Sequence, residues 1–281
     1  MDAAAGLSSP GLSARYGEDG IVFPVRVMPE RQARAAAERY PALQRFVCKE
    51  LGLRNVFKTH LLATWVDELV RLPSILDAVE GVIGPDILCW TSGFFAKEPY
   101  STSYVGWHQD ATYWGLEPVD GIVTAWLALT PSTAANGCMR AMPGTQRRGQ
   151  LAHLEGRGES NLLSQGQCVG AELDVAAAVD VVLAPGEISL HGAWLIHGSG
   201  PNPSDTPRIG LSIQYVSTEV GPVCGEDSAL LVRGVDRYGH FLKERSPAAD
   251  FSADAVAAYR SRLHMASVCG RAQRARSASP S

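Results

Sequence analysis

The chain has 281 residues, 46% of them hydrophobic, with 29 acidic and 25 basic side chains and a net charge of −4. That apolar share supplies a sizeable core and excludes wholesale disorder. The near-balanced charge gives no electrostatic case for nucleic acid or an anionic membrane as partner. Cys48, Cys89, Cys138, Cys168, Cys224 and Cys269 stand far apart with no C-x-x-C pair. This spacing suits reduced thiols in a cytoplasmic compartment rather than a disulfide scaffold. The first residues lack the basic and apolar regions of a secretory signal. No apolar run reaches the roughly 18 residues of a membrane span.

In chain order, residues 1–15 are small and polar and read as a disordered lead-in. Gly20–Val27 reads as a strand ended by Met28-Pro29, and Pro29 suits the first turn of a helix. The Ala-, Arg- and Glu-rich stretch to Leu51 is helical, with Pro41 as a break. Leu61–Val70 is a second helix. A third follows, with Ser74 and Asp77 in capping-box spacing, Ile75, Leu76, Val79, Val82 and Ile83 on one face, and Gly84-Pro85 as its stop. From Asp86 the pattern turns to strands: Ile87–Trp90, Gly93–Lys97, Ser103–Trp107 and the apolar Ile122–Leu129. Asn136-Gly137 and Pro143-Gly144 are turns flanking Cys138–Met142. Residues 147–175 are polar and Gly-punctuated, a long loop of the kind that covers a site. Val179–Leu183, Glu187–His197 and Arg208–Val216 complete the strands. Ser252 caps a last helix to Leu263, and the basic tail beyond it reads as solvated. Helices followed by many short strands with Gly/Pro turns predict an α+β protein with a β-sandwich or jelly roll. One domain over 16–245 is expected, with a short helix and a disordered tail over 246–281.

The chemistry-bearing residues fall in two distant segments. In Trp107-His108-Gln109-Asp110, alternation along a strand puts His108 and Asp110 on one face. In the second segment, Ser189, His191, Ala193, Leu195 and His197 share a face by the same period, and Arg208 follows His197 by 11 residues. Two imidazoles and a carboxylate on one side of an ion are the facial triad of non-haem Fe(II) sites. An H-x-D alone is common among surface pairs; the later His and Arg give it weight.

Taken together, these blocks resemble the phytanoyl-CoA dioxygenase-like (PhyH) branch of the Fe(II)/2-oxoglutarate oxygenases. The resemblance covers residues 16–218. It rests on His108-Gln109-Asp110, on Thr124–Leu129 followed by Asn136-Gly137-Cys138-Met139 and Pro143-Gly144-Thr145, and on His197-Gly198-Ser199 with Asn202, Ser204 and Arg208. It implies a double-stranded β-helix (jelly-roll, cupin-like) core with flanking N-terminal helices. It also implies Fe(II) held by His108, Asp110 and His197 as the catalytic centre, and 2-oxoglutarate and O2 as co-substrates. Arg208 would clamp the distal carboxylate of 2-oxoglutarate, helped by Ser199, with Trp126 and Lys97 as further contacts. The implied reaction is oxidation of a small-molecule metabolite with release of succinate and CO2. Related halogenases carry Ala or Gly at the carboxylate position, so Asp110 favours hydroxylation or a related oxidation over halogenation. One departure stands at Gln146, where the family has His after P-G-[ST].

Several residues keep two readings. Trp107, Tyr113 and Trp114 line a substrate mouth or pack as ordinary aromatics. His191 touches substrate or is a core histidine. Arg140, if it points inward, needs an anionic partner. That partner is either a protein carboxylate or an anionic or zwitterionic substrate. The competing classes are a halogenase with the same cofactors and a non-catalytic jelly roll that binds a small molecule. A zinc hydrolase finds no H-E-x-x-H signature.

Overall fold

A computed structural model describes residues 9–53, 57–155, 160–163 and 167–262 of the chain. The lead-in expected over 1–15 is helical from Ser9, and residues 1–8 and the tail beyond 262 lie outside the described residues. Four helices precede most of the strands: α1 (Ser9–Asp19), α2 (Glu30–Phe46), α3 (Thr64–Val70) and α4 (Pro73–Ile83). Helix α2 buries Ala33, Ala36, Ala37, Tyr40 and Leu43, a single stripe at helical spacing. Pro41 does not break it. The proline sits on the exposed side, where water can take the carbonyl it frees. Helix α4 starts at Pro73 with no side-chain cap. Ser74 instead donates its hydroxyl to the Val27 carbonyl (2.5 Å), so the expected capping box is absent.

The strands are β1 (Ile21–Arg26), β2 (Ile87–Lys97), β3 (Val105–His108), β4 (Leu116–Glu117), β5 (Ile122–Ala128), β6 (Met139–Ala141), β7 (His153–Glu155), β8 (Gln167–Val169), β9 (Val179–Val181), β10 (Glu187–Gly192), β11 (His197–Ser199), β12 (Arg208–Ser217), β13 (Gly221–Pro222), β14 (Ser228–Arg233) and β15 (Leu242–Lys243). They form a seven-stranded sheet ordered β1-β10-β5-β12-β2-β14-β15, a four-stranded sheet ordered β3-β11-β6-β9, and the two-stranded pairs β13-β4 and β7-β8. Every pairing in the two sheets is antiparallel except β14 with β15. The two runs expected over 87–97 are one strand, irregular where Gln214 and Tyr215 pair with Thr91 and Cys89.

Period-2 alternation divides the large sheet into two faces. Val123, Ala125 and Leu127 of β5, Ile188 and Leu190 of β10, and Leu211, Ile213 and Tyr215 of β12 join the helices in the main core. The opposite residues, among them Thr124, Trp126, Ser189, His191, Arg208 and Ser212, point toward the small sheet. There Trp126 and Ala128 pack against Met139, Ala141 and Val181. The protein is thus a mixed α+β structure: helices back one face of the large sheet, and the small sheet covers part of the other. All of the buried polar residues just named line the space between the sheets.

The run expected as one strand over Glu187–His197 is two. Strand β10 lies in the large sheet and β11 in the small one, joined by a corner at 193–196. His191 and His197 therefore do not share a strand face; the corner brings their rings to 4.6 Å between centroids.

Candidate metal centre

His108 ends β3 and pairs across the ladder with His197, which opens β11. Asp110 begins a short 3-10 turn beyond the extended Gln109, so His108 and Asp110 face the same side across the strand end. Ligand atoms of His108, Asp110 and His197 all lie within 4.8 Å of one another.

Backbone carbonyls fix which ring nitrogen carries the proton. His108 Nδ1 lies 2.9 Å from the Gly106 carbonyl and 3.1 Å from that of His197. His197 Nδ1 lies 3.1 Å from the Leu195 carbonyl. Each Nδ1–H therefore donates to backbone, which leaves each Nε2 with its lone pair facing outward. His108 Nε2 is 3.2 Å and His197 Nε2 3.8 Å from the same oxygen, Asp110 Oδ1. Burial, and then His108 alongside, push His197 down to about 3. Burial pushes the Asp110 carboxyl up, but His197, His108 and His191 together outweigh it and hold the group well below the usual carboxylate range. Two imidazole nitrogens thus converge on one carboxylate oxygen. A cation between them satisfies all three donors, and two N and one O suit Fe(II).

The carboxylate is itself held. Thr124 on β5 donates its hydroxyl to Asp110 Oδ2 at 3.0 Å. Gln109, fully buried, donates Nε2–H to the carbonyls of Gly149 and Trp194 (2.8 Å each) and accepts from the Leu151 amide at 2.8 Å. It ties the Asp110 turn both to the corner before His197 and to the segment leading into β7. Both stand in the blocks that carry the family resemblance, but the sequence assigned neither a role. Thr124 is one hydroxyl in an apolar strand, and Gln109 entered only as the middle residue of the H-Q-D block.

A cationic cradle lies further along the same inner face. Arg208 and Lys97 pair across β12 and β2 and are 2% and 1% exposed. Arg208 donates to the Gly137 carbonyl at 2.7 Å, stands over the Trp126 ring at 5.3 Å, and leaves its Nε without a partner. Lys97 Nζ donates to Ser199 Oγ at 2.7 Å and to the carbonyls of Gly137 and Gly200. Neither cation has a carboxylate partner among the described residues. Burial, with Arg208 as neighbour, pushes Lys97 down to about 7; burial pushes Arg208 down to about 10. Such uncompensated charge suits an anionic ligand.

The signature polar residues build this cradle from backbone. Asn202 donates to the carbonyls of Lys97, Glu98 and Thr206 and accepts from Ser204, folding the turn that brings Arg208 to Lys97. Gly137 has φ +71°, and a Cβ there would lie 2.2 Å from the Pro201 carbonyl oxygen, so the Asn-Gly turn needs glycine. Gly210 opens the space for Trp126, whose ring would be 2.0 Å from a Cβ at that position.

Other candidates fall differently. His191 joins the centre: it is 1% exposed, with Nε2 3.5 Å from Asp110 Oδ2. Trp107 does not. It alternates away from His108 and packs with Met142, Val169 and Ile196 behind the small sheet. Arg140 also points away from the interior, because Met139 and Ala141 take the inward positions of the three-residue β6. It pairs with Asp180 at 3.2 Å and donates to the carbonyls of Val175 and Ala178. The protein carboxylate is its partner, and the ground for an anionic substrate is removed. Trp114 packs edge-on to Trp90 at 5.4 Å in an apolar cluster with Ala111 and Ala193, beside the Asp110 turn. The Tyr113 side chain lies outside the described residues. Gln146 reaches the Glu18 carbonyl at the end of α1. Its place opposite the family's His thus serves local packing. The loop expected over 147–175 holds the β7–β8 ladder, with 156–159 and 164–166 outside the described residues.

The two main sheets thus face each other with two histidines and a carboxylate at one end of an inner face and paired cations further along it. The phytanoyl-CoA dioxygenase (PhyH) family profile matches residues 16–210, and the chain belongs to that family. The human peroxisomal phytanoyl-CoA dioxygenase is 31% identical over 151 residues, 53% of this chain and 45% of that protein. The chain spans about half the length of the curated relatives it matches. Among solved structures, the apo form of ThoJ, a non-heme monooxygenase, is 39% identical with a TM-score of 0.84, covering 92% of this chain and 97% of that one. CytC3 with Fe(II) and alpha-ketoglutarate is 26% identical with a TM-score of 0.65, covering 88% and 97%.

Proposed function

We propose that the protein is a non-haem Fe(II) oxygenase that consumes 2-oxoglutarate and O2 to oxidise a small molecule, releasing succinate and CO2. The observation that carries this reading is the pairing, on one buried face, of lone pairs converging on Asp110 with the unpaired cations Arg208 and Lys97. One set suits a divalent metal and the other a dicarboxylate. Family membership and the likeness to CytC3, solved with Fe(II) and alpha-ketoglutarate, support the same cofactors.

His108 and His197 offer Nε2, and Asp110 offers Oδ1, to the iron. Arg208 takes the distal carboxylate of 2-oxoglutarate on its guanidinium edge, Lys97 and Ser199 bind alongside, and the Trp126 ring walls the cradle. Iron supplies the activation of dioxygen coupled to decarboxylation of the co-substrate. The protein's part is to orient both partners and keep the site dry. The two facing antiparallel sheets are read as a double-stranded β-helix, one domain over 16–245. The carboxylate at 110 favours oxygenation over halogenation. The intact donor set favours turnover over mere binding. No helix among the described residues is long and apolar enough to cross a membrane. Cys48, Cys89 and Cys138 are free thiols among the described residues, in keeping with a cytoplasmic site.

Succinate release that needs Fe(II), 2-oxoglutarate and O2 together is the expected outcome, with candidate metabolites screened for those that raise it. Asp110→Ala and His197→Ala abolish it while circular dichroism stays unchanged. Succinate formation surviving in both variants at the wild-type rate contradicts the assignment.

A further inference from the structure

The two oxygens of Asp110 have different surroundings. Oδ1 faces both imidazole nitrogens, at 3.2 and 3.8 Å. Oδ2 faces the large sheet, where it accepts the Thr124 hydroxyl at 3.0 Å and lies 3.5 Å from His191 Nε2. Thr124 and His191 are register partners on adjacent strands β5 and β10, so the sheet presents them to Oδ2 as a fixed pair.

His191 carries an open capacity. Its ring is 1% exposed, and neither nitrogen has a hydrogen-bond partner among the described residues. A buried polar group left unmade costs about 1–3 kcal/mol. Asp110 Oδ2 faces it, and closing 3.5 Å to a normal N–H···O distance takes a shift of only about half an ångström. Reaching the metal side is different: the ion-holding cluster comprises His108, Asp110 and His197 without His191.

Resting on the iron-oxygenase reading above, we propose that Thr124 and His191 are positioning residues that hold Oδ2 away from the metal, so that Asp110 ligates through Oδ1 alone. To chelate through both oxygens, the carboxylate must swing Oδ2 out of the Thr124 bond and leave two buried donors facing nothing. The consequence concerns the co-substrates. Three single-point protein ligands leave three positions of an octahedral ion open, enough for a chelating 2-oxo acid and for dioxygen. A carboxylate bound through both oxygens leaves two, which the 2-oxo acid fills. Thr124 and His191 therefore keep a place for the gas without touching it.

Nitric oxide, a stable stand-in for dioxygen, tests this without turnover. Wild-type protein is loaded anaerobically with Fe(II) and 2-oxoglutarate, the visible charge-transfer band is recorded, and nitric oxide is titrated by the EPR signal of the iron–nitrosyl. The double variant Thr124→Val/His191→Phe keeps the charge-transfer band but binds nitric oxide about tenfold more weakly or worse, the scale of loss typical when residues that orient a metal ligand are removed. Thr124→Ser and His191→Gln, which retain donors, bind it as the wild type does. The proposal is overturned if the double variant shows the wild-type band and the wild-type nitric oxide affinity. It is equally overturned if the double variant loses iron while Thr124→Ser and His191→Gln lose it too, since those donors then do not govern how Asp110 binds. A wild type with no charge-transfer band sinks the oxygenase reading itself, a result distinct from either.

Discussion

At the scale of single residues, the site works by leaving charges and lone pairs unanswered inside the protein. Arg208 has a backbone carbonyl for a partner and no carboxylate among the described residues. Arg208→Ala should therefore raise the apparent KM for 2-oxoglutarate by about 30-fold or more, the loss expected when one side of a buried charge pair is removed. Titrating 2-oxoglutarate against initial rate measures it; an unchanged KM contradicts the assigned role. Lys97 adds a pH dependence. Burial and the neighbouring Arg208 bring it down to about 7, so it is charged below that pH and neutral above it. A dianion favours the charged form, so 2-oxoglutarate affinity should be full below pH 7 and fall as pH rises past it. Lys97→Met should flatten that profile. Much of this was legible in the residues: His108, Asp110, His197, Ser199, Lys97 and Arg208 converge as expected. Thr124 was not, because a hydroxyl in an apolar strand carries no mark of the carboxylate it faces.

At the scale of elements, the corner at 193–196 does the assembly. It moves the chain from the large sheet to the small one between His191 and His197. Alternation counted along the sequence assumes a continuous strand, so it placed these two residues on one face for the wrong reason. Of their two readings, Arg140 took the protein carboxylate and Trp107 the ordinary aromatic packing. Which side of a three- or four-residue strand faces inward depends on its neighbours, and here Met139 and His108 took the interior. Helix α2 shows the opposite case, where an apolar stripe outweighed a proline placed on the wet side. The close packing of Trp126 over β12 gives a test at this scale. Gly210→Ala puts a methyl 2.0 Å from the indole, so the ring must shift from its place beside Arg208. Overpacking of this kind costs about 1–3 kcal/mol. Thermal melting should register that loss, together with weaker 2-oxoglutarate binding. A variant with wild-type melting and affinity shows that the ring moves freely.

At the scale of the whole molecule, chain segments far apart are fastened by a buried network that takes no part in the chemistry. Lys58 donates to Glu244 at 2.9 Å and to the carbonyls of Trp90 and Ser228. Glu244 also meets His60 at 2.8 Å and accepts from Ser228 at 2.6 Å. The last helix, over 253–262 with Ser252 accepting from the Ala255 amide, adds Tyr259 to the main core. Residues 184 and 186 positions apart cannot be paired from one sequence, so this fastening was invisible there. Burial pushes the Glu244 carboxyl up, but Lys58 and His60 overcome it and bring the group down to about 2. Its charged form is therefore favoured by folding. That stability is present above about pH 4.5, the range of an unfolded glutamate, and is lost as pH falls toward 2. Glu244→Gln should cost about 3 kcal/mol, because it leaves Lys58 buried without its nearest anion, and should make the acid limb of the stability profile shallower. Urea unfolding at pH 7 and pH 3 measures both.

The claim on which all three scales depend is that His108, Asp110 and His197 hold iron within reach of a 2-oxo acid bound at Arg208. Adding Fe(II) and then 2-oxoglutarate to the purified protein under anaerobic conditions tests it directly. The expected result is a visible charge-transfer band that saturates with 2-oxoglutarate, disappears in His197→Ala and needs far more 2-oxoglutarate in Arg208→Ala. Folded protein with verified bound iron that shows no such band at any 2-oxoglutarate concentration contradicts it.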